Sequence, residues 1–330
     1  MANPATPDAI LRRLEWTVIR RLDGLLQGDY RTLFRGAGLD LADLREYQHH
    51  DDVRHIDWNV TARLQHPYVR QFTEDRELTA WFLLDLSGSV DFGSQGGTGA
   101  SGLEIRSKRS VSTDFVAVLA RLLTRHGNRV GAMLYGNSLD DVLPARNGRS
   151  HVLHLLQRMS KHATPQAKTQ TQLQDLLLRA APLIPRRSTV FVVSDFISAP
   201  GWGDALARLA QRHEVLAVRL YDPLEMELPD LGMVTMQDAE TGEQLLVDTR
   251  DPGFRARFAK VAAQQEAELR AGLTRAGVDA LELSTDEDLV NTLMRFVELR
   301  RRRSQLAAGG GLPTHLKPLP TEKQDDLRVA

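Results

Sequence analysis

The sequence predicts an α/β protein built on a doubly wound, mostly parallel sheet, with an N-terminal helix and β-hairpin extension and a small β insertion. Three observations carry that expectation. From Leu78 to Asp85, within ELTAWFLLDLSGSV, eight residues run with little polar interruption and stop at a Gly/Ser turn, which is too short for a typical helix and suits a strand covered on both faces. A second run, TVFVVSD from Thr189 to Asp195, has the same grammar and also ends in a carboxylate. Around both runs, segments with apolar residues at helical spacing alternate with short strand-like ones, as they do in a sheet wound by crossover helices.

In chain order, Pro7 to Leu26 place Ile10, Leu11, Leu14, Val18, Leu22 and Leu25 on one face and Arg12, Arg13, Arg20 and Arg21 on others. This amphipathic helix is read as packing on its own domain, a membrane-surface or partner-binding role being the other reading. Gly28 and Asp29 end it. Ile56, Trp58 and Val60 alternate with Asp57 and Asn59, and Tyr68 to Thr73 follow Pro67, so two strands joined by ARLQHP are expected beside the main sheet. His49, His50, Asp51, Asp52 and His55 are read as a polar turn rather than a metal cluster, because their spacing sets no common face. The Gly-rich stretch DFGSQGGTGASGLE lacks the GK[ST] ending of a phosphate-binding loop and is expected to be a crossover into a helix from Glu104 to His126, closed by Gly127.

Arg129–Tyr135 is the next strand, and GNSLD turns it into Asp141–Ala145, which makes the latter an antiparallel edge. Helices at His151–Ser160 and Leu173–Ala181 flank the polar linker KHATPQAKTQTQ. After Thr189–Asp195 come a helix at Ala205–His213, a strand at Val215–Tyr221 and, from Leu228 to Val247, short alternating runs broken by Pro229, Gly232 and Gly242. A long helix at Phe254–Ala276, a strand at Ala280–Leu283 and a helix from Glu287 to about Arg303, capped by Thr285 or Asp286, complete the wrap. The Arg300–Arg303 run is read as a solvated helix end, favoured by the helix dipole, rather than a nucleic-acid contact. Three units are therefore expected: residues 1–77 as helix and β extension, 78–303 as the α/β domain with its insertion at about 224–250, and 304–330 as a disordered tail rich in Gly, Pro and charge.

Composition narrows the chemistry. A formal net charge of -1 gives no global attraction to nucleic acid or an anionic membrane. Cysteine is absent, which removes disulfides, zinc-thiolate sites and thiol nucleophiles and suits the reducing cytoplasm. The first 26 residues carry charges throughout without an apolar signal-peptide core, and no run approaches the 18 apolar residues of a membrane span.

At the end of the first apolar run stand Asp85, Ser87 and Ser89, three hard oxygen donors suited to Mg²⁺ and poorly suited to zinc. Asp85-x-Ser87-x-Ser89 resembles the metal-ion-dependent adhesion site of von Willebrand factor A domains. Upstream, REYQHHDDVRHIDWNVTARLQHPYVRQFTEDRE (Arg45 to Glu77) resembles the signature of the bacterial family called domain of unknown function 58, and Arg54, Asp57, Arg63, Arg70 and Glu77 match its charged positions. The combined resemblance covers about residues 30 to 303.

That resemblance implies a sheet of von Willebrand factor A type and a Mg²⁺ or Mn²⁺ site completed by a threonine and a second aspartate. By context the aspartate is Asp195, and the threonine is Thr171, or alternatively Thr169. Ser87, Ser89 and Thr171 would touch the ion directly, Asp85 and Asp195 partly through water. The resemblance further implies a non-enzymatic module whose open metal position accepts a carboxylate from a client protein, working with a MoxR-type AAA+ ATPase. Some relatives carry N-terminal transmembrane helices, from which this sequence departs. The enzymatic alternative is a haloacid dehalogenase-type phosphatase, but that chemistry uses Asp-x-Asp, and Ser87 stands where its general acid/base would be. LSGSV also lacks the Gly-x-Ser-x-Gly elbow of a serine hydrolase. A metal-free scaffold that keeps the hydroxyls for capping is the structural alternative.

Overall fold

A computed structural model describes residues 6–19, 22, 43–47, 53, 56, 58–71, 78–91, 106–136, 138–162, 171–237 and 243–307. Its centre is a six-stranded sheet formed by β3 (Thr79–Asp85), β4 (Arg129–Tyr135), β5 (Leu139–Arg146), β6 (Thr189–Ser194), β7 (Glu214–Tyr221) and β10 (Asp279–Ser284). The strand order is β10-β7-β6-β3-β4-β5, parallel throughout except for the β4–β5 hairpin at one edge. The antiparallel edge expected after GNSLD is therefore present.

Burial of β3 on both faces explains its unbroken apolar sequence. Ala80, Phe82 and Leu84 face one layer with α3 (Lys108–Arg125), α4 (Arg149–Lys161) and α9 (Leu289–Ala307), while Trp81 and Leu83 face α5 (Leu173–Leu183), α6 (Trp202–Arg212) and the end of α8 (Pro252–Ala276). Phe82 stacks on Phe191 at 5.0 Å between centroids, and Phe115 of α3 meets both edge-on at 6.5 and 6.3 Å. On the other face Trp81 lies directly across from Gly131. A Cβ at Gly131 would fall within 2.7 Å of the indole, so glycine is required there by the close approach of the ring.

The N-terminal helix packs on its own domain. Within α1 (Pro7–Leu14) and the following π turn (Glu15–Ile19), Leu11, Leu14, Val18 and Ile19 join the core against α3 and α4, as does Leu22. Arg121 holds Glu15 at 2.6 Å and Arg13 reaches the buried Asp114 at 3.1 Å, which fixes this layer from its rim. The α3 helix starts at Lys108, with Ser107 as N-cap accepting from the Ser110 N–H at 3.2 Å, and ends at His126 before Gly127 in the left-handed region.

Four expectations are corrected. The Ile56–Val60 segment is not a strand, because Trp58–Leu64 forms the helix α2, with Trp58 69% exposed. The strand β2 (Tyr68–Gln71) pairs instead with β1 (Asp43–Glu46), antiparallel and from Asp43 opposite Gln71 to Glu46 opposite Tyr68. The last helix is capped by Asp288, whose side chain accepts from the Asn291 N–H at 2.9 Å, while Thr285 donates to Asp222 and Ser284 engages Asp286. That helix also runs past residue 303 to Ala307. Arg300 is not a solvated cation, since its side chain is 9% exposed and bridges Glu214 and Asp279, both at 3.1 Å. Its two partners lie on the adjacent parallel strands β7 and β10, a pairing of distant residues that a linear reading of four arginines does not suggest.

The insertion between β7 and α8 holds the short helix α7 (Pro223–Met226), which was not expected, and the antiparallel pair β8 (Met233–Gln237) and β9 (Gln244–Asp248), which was. His49, His50, Asp51, Asp52, Arg54, His55, Asp57 and Glu77, the Gly-rich residues 92–105 and the segment 308–330 lie outside the described residues.

The Trp81–Gly131 contact yields a stability prediction. Gly131→Ala should destabilise the protein by about 1–3 kcal/mol through overpacking, lowering the thermal midpoint by several degrees, and the double variant Trp81→Leu/Gly131→Ala should recover part of the loss. Differential scanning calorimetry of the three proteins measures it.

Candidate functional site

The site is built at the carboxyl end of the parallel strands, where chain leaving β3 and β6 turns over the sheet edge. Asp85 ends β3 and is fully buried, followed by Ser87 and Ser89, which are 1% and 5% exposed. The Ser87 N–H donates to Asp85 Oδ1 at 3.0 Å, closing an Asx turn, and the hydroxyls of Ser87 and Ser89 sit 3.1 Å apart. A 3₁₀ turn at Gly88–Asp91 completes the loop. Arg109 of α3 clamps it by pairing with Asp91 and donating to the Leu86 carbonyl at 3.2 Å.

On the neighbouring strand, Ser194 ends β6 and donates to Asp85 Oδ2 at 2.6 Å, so the two strand ends are tied directly. Asp195 follows, buried, and its Oδ1 accepts from the Ile197 N–H at 3.0 Å. Between them Phe196 adopts φ 60°, a left-handed conformation that is costly for an aromatic residue. Its N–H donates to Ser194 at 2.9 Å and its ring packs on Trp202 at 5.2 Å, contacts that hold the strained turn in place.

Thr171 is buried just before α5. Its carbonyl accepts from Ser198 Oγ at 2.9 Å and from the Ala199 N–H at 3.0 Å, which docks the start of α5 on the loop that carries Asp195. Thr169 lies outside the described residues. The loops after β3 and β6 and the approach to α5 thus bring Asp85, Ser87, Ser89, Thr171 and Asp195 to one buried edge of the sheet.

Two charged residues that the sequence reading did not single out complete the arrangement. Lys108, fully buried, donates to Asp195 Oδ2 at 2.8 Å and to Glu225 Oε1 at 2.6 Å. Glu225 belongs to α7, where the Asp222 N–H donates to its other oxygen at 3.1 Å, while Asp222 caps Leu224 and accepts from Thr285 at 2.8 Å. A polar network therefore runs along the sheet edge from β3 to β10. The helix start explains why the sequence did not mark Lys108: read from Glu104 it lies a turn inside the helix, whereas with Ser107 as N-cap it opposes the helix dipole and calls for anionic partners. Asp195 and Glu225, distant in the chain, could be paired with it only once the strands were ordered. Beside them a cavity of about 580 Å³ opens, lined by Asp195, Phe196, Trp202, Tyr221 and Glu225 among others.

Electrostatics mark Asp85 as the strained member. Burial, reinforced by the charge of Asp195, pushes its pKa from 3.8 up to about 6 despite hydrogen bonds from Ser194 and Ser87. Burial works to lower the pKa of Lys108, and the charges of Asp195 and Glu225 outweigh it, leaving the ammonium more firmly protonated than usual. Among the described residues no group of three His, Cys, Asp or Glu is placed to hold a metal, so an ion here must draw on hydroxyls. The donor set fits Mg²⁺: every donor is oxygen, two carboxylates supply charge, and the raised pKa of Asp85 shows a buried anion short of positive charge.

A mostly parallel sheet with one antiparallel edge, and an Asp-x-Ser-x-Ser turn buried at the end of an interior strand, define a doubly wound α/β domain with its polar turns gathered at the strand ends. The chain belongs to the family described as "Protein of unknown function DUF58", whose model matches residues 43–268. It is 37% identical over 294 residues to the "Uncharacterized protein Rv1480" of Mycobacterium tuberculosis, covering 89% of this chain and 90% of that one. A shorter relative from Mycobacterium avium, "Uncharacterized protein MAV169", is 37% identical over 165 residues, or 48% of this chain and 94% of that one. Among solved structures the chain is similar to an aerotolerance-related membrane protein of Bacteroides fragilis, with TM-score 0.42 and 13% identity over 68% of this chain and 99% of that one. It is also similar to BatB of Bacteroides thetaiotaomicron, with TM-score 0.41 and 14% identity over 69% and 99% of the two chains.

The shift of Asp85 has a definite sign. Because the folded state raises this carboxylate's pKa, the fold favours the protonated form: no penalty exists below about pH 4, it builds between about pH 4 and 6, and it is complete above that range. In EDTA, Asp85→Asn should therefore be more stable than wild type at pH 7.5, by up to about 3 kcal/mol at 1.36 kcal/mol per pKa unit, with the gap closing by pH 4. Urea unfolding at the two pH values measures this, and an unchanged gap would contradict it.

Proposed function

We propose that this protein is a non-enzymatic interaction module that binds Mg²⁺ or Mn²⁺ at Asp85, Ser87, Ser89, Thr171 and Asp195 and uses the ion to grip a carboxylate of a client protein. The observation that carries this reading is the state of the two aspartates. Hydrogen bonds on both oxygens of Asp85 and of Asp195 hold these carboxylates in place beside the hydroxyls of Ser87 and Ser89, which suits carboxylates that act through water and hydroxyls that meet the ion. An ion held by neutral hydroxyls keeps most of its charge for an incoming anion, which is what a docking site needs. The same features argue against phosphoryl transfer, since Asp85 is buried under its hydrogen bonds and Ser87, in the second position, is no acid or base at neutral pH.

The family resemblance supplies the partner: a MoxR-type AAA+ ATPase, whose ATP-driven motion this chain would couple to the client. The sequence has no nucleotide-binding motif of its own, in keeping with energy supplied from outside. The proposed compartment is the cytoplasm, in keeping with a cysteine-free sequence. Among the described residues no helix is long and apolar enough to cross a membrane.

Three outcomes are expected. Mg²⁺ at ten times its dissociation constant should stabilise the wild-type protein by about 1.4 kcal/mol over EDTA, and Asp85→Ala and Ser87→Ala should lose the response while remaining folded by circular dichroism. An unresponsive wild type would remove the metal from the mechanism. Co-purification with the host's MoxR-type ATPase should weaken in EDTA and in both variants, and retention of the complex in all of them would remove the metal face from that contact. Generic phosphoesters should not be turned over, and turnover abolished by Asp85→Asn would reverse the non-enzymatic reading.

A further inference from the structure

Lys108 is an unusual neighbour for a metal site. Its side chain is 0% exposed, it stands at the first position of α3, where the helix dipole disfavours a cation, and it lies 2.8 Å from Asp195 and 2.6 Å from Glu225. A buried ammonium persists only when its charge is matched, and here two carboxylates match it. Along this edge Asp85, Asp195 and Asp222 are buried and Glu225 is partly exposed, all against one lysine, so the edge keeps an excess of negative charge that a cation would offset.

The hydrogen bonds decide how that excess is used. Asp195 Oδ1 is committed to the Ile197 N–H and Oδ2 to Lys108. Each oxygen keeps a second lone pair, but an ion bound directly by Asp195 would sit against the ammonium on Oδ2 and be repelled by it. This repulsion weakens the metal in the isolated chain. Glu225 is anchored from its other side by the Asp222 N–H at 3.1 Å, so the lysine is held between two fixed carboxylates rather than swinging free.

We propose that Lys108 is the positioning residue that keeps Asp195 out of the inner coordination shell and holds metal affinity low, so that the isolated chain binds an ion weakly and holds it firmly once a client carboxylate completes its shell. This inference deepens the metal-dependent reading above and rests on it. The physical consequence is conditional binding. The lysine neutralises the site enough for the chain to fold without metal, and ion and client each strengthen the other's weak binding. A site with Asp195 free would be a permanent metal centre with less charge left for the client.

The test is calorimetric titration of Mg²⁺ into the EDTA-treated and dialysed full chain as wild type, Lys108→Met and Lys108→Met/Glu225→Gln. Methionine keeps the buried aliphatic stem and removes the charge. The double variant keeps the wild-type charge balance, so a gain there reports release of Asp195 rather than a change in total charge, and it carries the test where the single variant does not fold. Both variants should bind Mg²⁺ at least about tenfold more tightly than wild type, as expected for removing a like charge a few ångströms from the ion. Adding Asp85→Ala to Lys108→Met should abolish the gain. Equal or weaker binding by the folded Lys108 variants, with a wild type that does bind, overturns this inference and leaves the metal-dependent reading standing. No binding by any of the proteins overturns both.

Discussion

The arrangement depends on one electrostatic problem: carboxylates buried at the end of a sheet. Asp85 closes a strand whose preceding residues from Ala80 to Leu84 are all buried, so its charge has no water to face and must be met by hydrogen bonds, by a lysine or by an ion. The protein uses the first two within its own chain. Ser87 and Ser194 satisfy the oxygens of Asp85, while Lys108 satisfies Asp195 and Glu225. Part of the cost remains, as the elevated pKa of Asp85 records.

That residual cost separates stability from function at this edge. A core free of such groups would be easier to stabilise, and the rest of the domain is built that way, with Phe82, Phe115 and Phe191 in mutual contact and helices on both faces of the sheet. Strain gathers where the donors are. Phe196 takes a left-handed backbone beside Asp195, tied down by Ser194 and by the Trp202 ring. Strained backbone and an under-neutralised carboxylate thus meet at one place, at the expense of stability there.

Much of this was legible in the linear sequence because burial leaves a periodic trace. A strand covered on both faces must be apolar at every position, so Thr79–Asp85 and Thr189–Ser194 stood out, and the polar residues that end such runs marked where ligands gather. Local rules failed where long-range pairing made the decision. Trp58–Leu64 has the alternation of a strand but folds as a helix against β2, which draws its strand partner from Asp43–Glu46, beyond the intervening α2. Arg300 reads as a surface cation until β7 and β10 are set side by side, when Glu214 and Asp279 become its neighbours.

The sequence by itself determined the fold class, the strand-end turn Asp85-x-Ser87-x-Ser89 and the oxygen chemistry of the site, since each follows from the order and type of nearby residues. Only the tertiary structure decided which charges meet. Lys108 and Asp195 are 87 positions apart, Lys108 and Glu225 117 apart, and no spacing rule links them. They converge because parallel strands deliver the chain to the same sheet edge after every crossover helix, which assembles at one place groups that the linear order keeps far apart.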